Sequence, residues 1–554
     1  NYTPPQCSFN RVVMNFRATS QGRQFDRLAV MYLNDTEVWR TSTAEPTKSG
    51  IVFEYTKDMS TYISLWKTPQ TLIFDLGNLI DETYTAPFNT TLTATFFMDH
   101  EVSKPADQII PISARKSKLN APSAFTLPTD VAINILTLPQ NANRAVFSLS
   151  ACGQATEEFW WANVLQSDST TFNATIGTLF GYSPFREVQL LVDGQIAGVY
   201  WPFTTIFTGG VAPGFWRPIV GIDTYDLREH EIDLTPWLGI LSDGKSHTFE
   251  IRVVGIQDDH EESGTLTEKV GESWLVTGKI FLWLDSDYMA RTTGTWPEIR
   301  NPSPSISISR ALTQNPMGRN ETLAYSADVK RTLSISSTIT TSLGTRQASW
   351  TQSLITTNHG LFEAQGNIQV TNQTTIGTDE SIGNVNFKST YSYPLWVRTV
   401  LETSDKNHYD LDAELTRGLA ITTEGTSLFP TGLESFLYNS QRLALNGPGL
   451  HSFLETTQNG TGHYSSAKSA KTSVSYGKTM QELSLSAYID KSAKKELYYR
   501  NVAATNGSII QDHERITGRE IPKSITNNMP AGDVMIFASR PDQNILQKLA
   551  LKFL

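Results

Sequence analysis

The chain has 554 residues, and 45 Lys and Arg against 55 Asp and Glu give a formal net charge of −10. Because a phosphate backbone is bound by a basic stripe, and no such stripe occurs, we expect no nucleic-acid partner. No uninterrupted apolar stretch approaches the ~20 residues that cross a bilayer, so we expect no membrane span either.

Taken in chain order, the dominant pattern is a two-residue alternation of apolar and polar side chains, which is typical of strands. It is clearest in "RLAVMYLND", "REVQLLVDG", "HTFEIRVVG" and "GKIFLWLDS". Helical spacing is scarce, and we predict short helices only over 438–445 and 542–554. Many short strands separated by turn residues predict an all-β protein built from β-sandwiches.

Changes in composition divide the chain into three regions. The strands of region 1–115 end near "NTTLTATFFMD", and an irregular, proline-containing stretch follows. Region 116–295 closes with "SWLVTGKIFLWLD", after which "TWPEIRNPSPSI" is again rich in proline. Region 296–554 contains more Ser, Thr and Asn but keeps the alternation, so we predict a β-rich C-terminal domain of unknown role rather than a disordered stalk.

Two features are typical of a secreted chain. It opens at Asn1 without Met, as a mature or trimmed N-terminus would. Eight Asn-X-Ser/Thr sequences occur, one of them at Asn1 itself, which is a mild excess over chance. We expect an extracellular, vacuolar or lumenal location and, if the source is eukaryotic, N-glycans at Asn34, Asn89, Asn173, Asn320, Asn372, Asn459 and Asn506.

The chain contains two cysteines, Cys7 and Cys152. An even count in a secreted chain favours one disulfide between them, with two separate buried thiols as the alternative. Two cysteines cannot form a metal site alone, and no HExxH, CxxC or G-x-S-x-G pattern supports zinc or serine-elbow chemistry. We expect neither a metal nor a cofactor.

The stretch "CGQATEEFWWANV", residues 152–164, sets Glu157 and Glu158 against three adjacent aromatic rings. Sugar rings stack their C–H faces on indole and offer hydroxyls to carboxylates, so acids beside Trp indicate a carbohydrate surface. Trp is also common in sandwich cores, and composition alone favours a core position for this group: Trp160, Trp161, Trp201, Trp216 and Trp237.

Several long segments carry a family resemblance. The chain closely resembles the peptide N-glycosidase A family in "GRQFDRLAVMYLNDTEVWRTSTAEPT" (22–47), "EEFWWANV" (157–164), "REVQLLVDGQIAGVYWPFTTIFTGG" (186–210), "FWRPIVGIDTYDL" (215–227) and "GKIFLWLD" (278–285). Members of that family are secreted amidases that cut the amide between the innermost N-acetylglucosamine and an Asn side chain. The resemblance implies the same activity here, on N-glycopeptides and N-glycoproteins, and weakens after about residue 290.

A fainter resemblance, to bacterial F-type peptide N-glycosidases, implies architecture and residue roles. Those enzymes are two adjacent jelly-roll sandwiches with the sugar in the cleft between them, which implies that fold for the first two regions. Their catalytic Asp lies in an acid-aromatic-Asp-Arg stretch at a strand start, which implies Asp26, followed here by Arg27. Their second-domain acid matches Glu158 rather than Glu157, and Arg217 in "FWRP" is the nearest counterpart of a supporting Arg.

The third acid of the bacterial enzymes has no direct counterpart. Asp75 in "TLIFDLGN" and Glu45 in "TSTAEP" are equal contenders for its position. The bacterial type is also rich in disulfides, whereas this chain has at most one.

These residue types suit amide hydrolysis. An unactivated amide needs an activated water, a stabilised oxyanion and a protonated leaving nitrogen. We expect Asp26 to activate the water, Glu158 to hold the sugar or amide and donate the proton, and Arg27 or Arg217 to offset charge. Glu157 is interpreted as a structural partner. Two aromatic residues are each either a sugar platform or core: Trp160 and Trp216.

Two other functions remain open from the sequence. A glycoside hydrolase would use two carboxylates and aromatic platforms, but it would leave a sugar on the Asn. A non-catalytic lectin would bind the glycopeptide without changing it.

Overall fold

The computed structural model describes most of the chain. Strands dominate, so the predicted all-β class is confirmed. No helix within the described ranges is long and apolar enough to cross a membrane. The two predicted helices, 438–445 and 542–554, lie outside the described residues. Those residues are 1–46, 50–82, 84–99, 105–215, 222–260, 262–383, 386–405, 408–425, 450–467, 472–490, 493–516 and 518–521.

The first sandwich contains six strands and one helical turn: β1 (Arg11–Ser20), β2 (Leu28–Leu33), β3 (Thr36–Ser42), β4 (Ile51–Asp58), α1 (Ile63–Trp66), β5 (Leu72–Leu76) and β6 (Asn89–Phe97). They pair as two three-stranded antiparallel sheets, ordered β4-β1-β6 and β3-β2-β5. Aromatic rings fill the space between the sheets: the ring centroid of Phe16 lies 5.3 Å from that of Trp39 and 5.3 Å from that of Phe74. Burial of these large apolar rings stabilises the sandwich.

The second sandwich contains ten strands and two helical turns: β7 (Gln108–Ile112), β8 (Phe125–Leu127), β9 (Ile133–Leu136), β10 (Ala142–Gly153), β11 (Glu187–Val192), β12 (Gln195–Tyr200), α2 (Ile222–Tyr225), β13 (His230–Asp233), α3 (Leu238–Leu241), β14 (His247–Asp258), β15 (Gly264–Thr267) and β16 (Trp274–Leu284). One sheet has the order β13-β10-β16-β7, with β8 also on β16. The other has the order β12-β11-β14-β15, with β9 also on β14.

The boundary between the first two regions lies before Gln108, not at 115. Strand β7 pairs with β16 and therefore belongs to the second sandwich. Because β7 lies within a proline-containing stretch, the sequence pattern predicted a linker there. Pro111 is compatible with a strand here because β7 is at the edge of its sheet, where a missing N–H leaves no neighbour unpaired.

The third region forms one long antiparallel sheet. Its strands are β17 (Thr293–Gly294), β18 (Glu298–Arg300), β19 (Ser305–Gln314), β20 (Asn320–Thr341), β21 (Gly344–Glu363), β22 (Ile368–Ile382), β23 (Phe387–Asp405), β24 (His408–Gly425), β25 (Leu450–Ala467), β26 (Thr472–Asp490), β27 (Ala493–Thr505), β28 (Ser508–Ile516) and β29 (Arg519–Glu520). From β20 to β29 each strand pairs with the next along the chain, while β17, β18 and β19 pair with β20. This sheet, here called the C-terminal sheet, begins at Thr293, slightly before the predicted boundary at 296.

The C-terminal sheet is docked on the second sandwich. Every second residue of β20 from Leu323 to Thr341 is buried, as expected for a strand with one covered face. Arg331 of this strand forms a buried ion pair with Glu187 of β11, at 3.2 Å. The Glu187 carboxylate also accepts a hydrogen bond from Trp201 Nε1, at 2.9 Å. The sheet is therefore an integral part of the molecule.

The two sandwiches meet along β3, whose residues are all buried. Arg40 donates two hydrogen bonds to Glu37, at 2.9 and 2.8 Å, and one to the carbonyl oxygen of Leu275 in β16, at 2.9 Å. Thr277 of β16 also donates to Glu37, at 2.7 Å. Because an unpaired buried charge is costly, this network favours one relative placement of the sandwiches.

The predicted disulfide is wrong, because Cys7 and Cys152 are both free thiols. Cys7 is exposed ahead of β1 in the first sandwich, whereas Cys152 is buried near the end of β10 in the second. Gln154 Nε2 donates to the Cys152 sulfur, at 3.3 Å. Burial raises the pKa of the Cys152 thiol to about 11, so this side chain is an unreactive core thiol at neutral pH.

The glycan acceptor side chains that the sequence predicts lie mostly at the surface. All are exposed except Asn320, which is half-buried and donates its amide to the carbonyl oxygen of Thr171, at 2.7 Å. Whether glycans occupy these positions stays a prediction. The exposed acceptors are Asn34, Asn89, Asn173, Asn372, Asn459 and Asn506.

The buried ion pair predicts how strongly the C-terminal sheet is anchored. Replacing Arg331 by Met should lower the free energy of unfolding by about 3–5 kcal/mol, because Glu187 would then be a buried charge without its cation. Arg398→Met is the matched control on β23, since Arg398 lies 3.8 Å from Glu414 in a solvent-exposed pair, and should change stability by less than about 0.5 kcal/mol. Guanidinium denaturation measures both. Equal effects of the two substitutions would contradict the anchoring role.

Candidate active site

Asp26 and Glu45 are brought together by the β2–β3 hairpin. Asp26 lies just before β2 and Glu45 just after β3. Hydrogen bonding between the two strands continues past their ends, because the backbone N–H of Arg27 donates to Thr43 Oγ1, at 2.8 Å, and the N–H of Thr43 donates to the Arg27 carbonyl oxygen, at 3.0 Å. The hairpin therefore delivers two carboxyl groups to the same edge of the first sandwich.

Glu158 reaches the site from the second sandwich. Strand β10 ends at Gly153, and a single 3-10 turn, Ala155–Glu157, leads directly to Glu158. Glycine is needed before this turn because a Cβ atom at residue 153 would lie 2.3 Å from the Glu157 carbonyl oxygen. The turn is tied to the neighbouring strand by two backbone hydrogen bonds between Gln154 and Ser273, at 2.7 and 2.9 Å.

Asp26, Glu45 and Glu158 form the cluster that we call the carboxyl cluster. Burial, the charge of Glu158 and the charge of Glu45 raise the pKa of Asp26 well above its usual value, while Arg27 opposes the shift. Burial raises the pKa of Glu158 to about 8. Because burial disfavours the ionised form of both Asp26 and Glu158, the cluster retains a proton at neutral pH.

Glu158 has an unused acceptor. Its side chain is 7% exposed, and its Oε2 atom has no hydrogen-bond partner among the described residues. This atom is therefore available to bond a substrate. The described residues contain no group of three or more His, Cys, Asp or Glu side chains that could hold a metal ion.

Glu157, by contrast, is fully engaged. Its carboxylate forms a buried ion pair with Arg186, whose Nη2 donates to Oε1 at 2.7 Å. It also accepts from the Gly271 N–H and from Trp274 Nε1, both at 2.8 Å. These contacts hold the turn that carries Glu158, and the structural role of Glu157 stays a prediction.

Glu45 is fully buried against a loop of the second sandwich. A Cβ atom at Gly209 would lie 2.3 Å from the Glu45 Oε1 atom, and Gly209 has a φ of +88°. A Cβ atom at the next residue, Gly210, would lie 3.3 Å from the ring of Phe159, directly after Glu158. This loop therefore connects the environments of the two glutamates.

Asp75, the other contender for the third acid, lies elsewhere. It is exposed on β5, where it pairs with Val30, and its charge acts on Tyr32 rather than on Asp26. The structure thus groups Glu45, and not Asp75, with Asp26. Alternation along a strand identified the face of Asp75 but could not tell which neighbouring segment the face would meet.

Arg27 is the positively charged residue beside Asp26 in the described part of the site. Its Nη2 donates to Gln24 Oε1, at 2.7 Å, and its guanidinium lies 5.1 Å from the centre of the Tyr84 ring. These contacts orient the side chain while its charge acts on Asp26. Two further predicted site residues, Trp216 and Arg217, lie outside the described residues.

Trp160, which the sequence left open between a sugar platform and a core position, lies in the core. It is 5% exposed and Trp161 is 2% exposed, and both pack in the main hydrophobic core. Trp161 also lines a cavity together with Phe159. The sequence showed the aromatic run but not which rings point to the core, because a 3-10 turn has neither strand nor α-helix periodicity.

The cavity has a second wall that sequence analysis missed. It is formed by the C-terminal sheet through Gln369, Thr371, Val397, Thr399 and Leu411. No local motif marks these positions, since each is an ordinary inward-facing strand residue.

Comparison with known proteins identifies the family of the chain. The family model described as peptide N-acetyl-beta-D-glucosaminyl asparaginase amidase A matches residues 1–300, and the model of the PNGase A C-terminal domain matches residues 324–395. Peptide-N4-(N-acetyl-beta-glucosaminyl)asparagine amidase A of Prunus dulcis is 31% identical over 487 residues, which cover 83% of this chain and 81% of the relative. The chain belongs to the peptide N-glycosidase A family.

Two solved structures of PNGF-II are also similar to this member of the peptide N-glycosidase A family. In the P21 and C2 space groups they give TM-scores of 0.33 and 0.34, with 11% and 12% identity. The matched part covers 51% of this chain in both cases and 59% and 58% of the two solved chains. The chain therefore spans less than two thirds of the solved structures it matches.

The contact between Glu45 and Gly209 can be tested by a pair of alanine substitutions. Gly209→Ala should displace the Glu45 carboxylate and lower the turnover of an N-glycopeptide by about tenfold or more, because the new Cβ atom occupies the space of Oε1. Gly194→Ala is the control: Gly194 also has a positive φ, +76°, but its Cβ atom would meet no atom within 4 Å. Both substitutions carry a backbone strain of roughly 1–2 kcal/mol, so equal turnover in the two variants would rule out a role for Glu45.

Proposed function

We propose that the protein hydrolyses the amide bond between the innermost N-acetylglucosamine of an N-linked glycan and the Asn side chain, giving Asp and a glycosylamine. The observation that carries this proposal is the carboxyl cluster, with Arg27 beside it, at the meeting of the two sandwiches. N-glycopeptides and N-glycoproteins are the substrates of this reaction. An amidase of this kind needs one group to activate water and another to donate a proton.

Asp26 is the group that activates the water. It is half-buried just before β2, where the hydrogen bonds between Arg27 and Thr43 extend the hairpin, so its backbone is firmly held. Its ionised form accepts the proton of the attacking water and directs the oxygen at the amide carbon. Two features support that ionised form: the positive charge of Arg27 lowers the Asp26 pKa, and a proton on Glu158 removes one of the two negative charges that raise it.

Glu158 is the proton donor. With a pKa raised to about 8 by burial, it holds its proton at mildly acidic and neutral pH and loses it as the pH rises through about 8. A protonated carboxyl can donate to the departing nitrogen, and its unpaired Oε2 can bond the amide or a sugar hydroxyl.

Two observations favour the amidase over the alternatives. A lectin has no need of buried, electrostatically coupled carboxyl groups, since keeping them in the fold is costly. A glycoside hydrolase also uses two carboxyl groups, but the matched family is one of amidases.

We further propose that the protein is secreted or lumenal. The exposure of most of the Asn-X-Ser/Thr acceptor side chains supports this, because glycan addition requires accessible Asn residues. Detection of glycans on the natural protein tests the location, and an unmodified protein recovered from the cytosol would overturn it.

The reaction and its general base are tested in one assay. The purified protein is incubated with a defined N-glycopeptide at mildly acidic pH, and the peptide product is weighed by mass spectrometry. We expect Asp in place of glycosylated Asn, and we expect Asp26→Asn to lower kcat by about 10²–10⁴-fold. Asp75→Asn, the control for loss of an exposed carboxylate, should retain wild-type activity. A product that keeps one sugar on Asn would instead establish a glycosidase, and an unchanged glycopeptide a lectin.

A further inference from the structure

We propose that the C-terminal sheet forms one wall of a sugar-binding pocket beside the carboxyl cluster, and that this pocket holds a neutral N-acetylated sugar ring of the glycan. This inference rests on the proposed function, because it names the part of the substrate that the third region recognises. It gives the C-terminal sheet a direct role in substrate binding.

The pocket lies between the turn that carries Glu158 and the inner face of the C-terminal sheet. On one side Thr156, Phe159 and Trp161 line it, and on the other Gln369 and Thr399 do.

The pocket adjoins the carboxyl cluster through its lining residues. Thr156 and Phe159 flank Glu157 and Glu158 in sequence. Leu411 of β24, another lining residue, belongs to the same hydrophobic cluster as Phe25, which directly precedes Asp26. A substrate whose scissile amide meets the acids therefore places its neighbouring ring at the pocket.

Two buried polar atoms of the lining have no hydrogen-bond partner among the described residues. They are Trp161 Nε1 and Thr399 Oγ1. Trp161 is 2% exposed and Thr399 is 9% exposed. They come from opposite walls. An indole N–H only donates and a threonine hydroxyl donates or accepts, so the pair is suited to a ligand that carries both carbonyl or hydroxyl acceptors and hydroxyl donors.

The remaining lining identifies the class of ligand. No charged side chain lines the pocket in the described part of the chain, and its polar groups are hydroxyls and amides. The aromatic rings of Phe159, Trp161 and Phe180 provide apolar faces for C–H groups. An N-acetylated sugar ring has apolar C–H faces, a methyl group, hydroxyls and one amide, and it carries no charge. A peptide segment offers less to this lining, because it presents a chain of backbone groups rather than a compact ring.

The two walls are fixed relative to each other. Gln369 Nε2 donates to the carbonyl oxygen of Ala162, at 3.1 Å, and Asn358 Nδ2 donates to that of Trp161, at 3.4 Å. Arg417 Nη1 donates to the carbonyl oxygen of Thr204, in the loop that leads to Gly209, at 2.9 Å. The C-terminal sheet thus holds both the turn and the loop of the site, so the pocket is formed before substrate arrives.

The test alters the far wall without touching the carboxyl cluster. Thr399→Phe fills the pocket, and Thr399→Val removes only the hydroxyl. For cleavage of an N-glycopeptide we expect KM to rise by about tenfold or more with Phe and roughly fivefold with Val, with kcat less affected. Thr416→Phe is the control, because Thr416 is exposed on the opposite face of the neighbouring strand, β24. Unchanged KM in both Thr399 variants would overturn the proposal.

A binding measurement separates this inference from the amidase itself. Free diacetylchitobiose is titrated into wild type and the three variants, and tryptophan fluorescence reports binding. The pocket is supported if wild type and Thr416→Phe bind the sugar and Thr399→Phe binds it at least about tenfold more weakly. This result supports the pocket even if no glycopeptide is cleaved and the amidase proposal fails. Equal binding by wild type and Thr399→Phe, or none by wild type, overturns the pocket while leaving glycopeptide cleavage as a separate result. If Thr399→Phe does not fold, Thr399→Val decides the outcome.

Discussion

The burial of three carboxyl groups in one poorly hydrated space is the constraint on which the rest of the structure depends. Asp26 and Glu45 arrive at the two ends of a hairpin, and Glu158 arrives on a turn of the other sandwich. Burial raises the pKa values of Asp26 and Glu158, the charges of the two glutamates raise that of Asp26 further, and Arg27 opposes the Asp26 shift. A cluster that destabilises its own ionised form persists only where the surrounding fold fixes it, and its retention indicates function.

The surrounding fold supplies that fixation at three levels. The Glu37–Arg40 network joins the two sandwiches, and the bonds of Glu157 hold the turn before Glu158. The C-terminal sheet is in turn anchored to the second sandwich by the buried pair of Arg331 and Glu187. The third region, which carried no motif, is thereby a structural support of the site and a wall of its pocket.

What could be predicted from the sequence was what local patterns encode. Alternation identified the strands, and the resemblance to F-type peptide N-glycosidases pointed to Asp26 and Glu158 before the structure grouped them. Glu45 could not be chosen over Asp75, because the choice depends on a loop of the other sandwich meeting the hairpin. The even number of cysteines suggested a disulfide, but Cys7 and Cys152 lie in different sandwiches and are both free thiols. Thr399 and its neighbours were beyond prediction, since their role arises only when distant strands pair and the sheet docks.

The pH dependence of stability tests the central claim that the carboxyl cluster retains a proton. The pKa of Glu158 is about 8 in the folded protein and ~4.3 in an unfolded chain, so wild type loses stability as the pH rises between those values. Glu158→Gln has no proton to lose there. From pH 5 to pH 8, the free energy of unfolding of the variant should therefore increase relative to that of wild type by roughly 1 kcal/mol per pH unit, as measured by guanidinium denaturation. A difference that stays constant with pH would contradict the account.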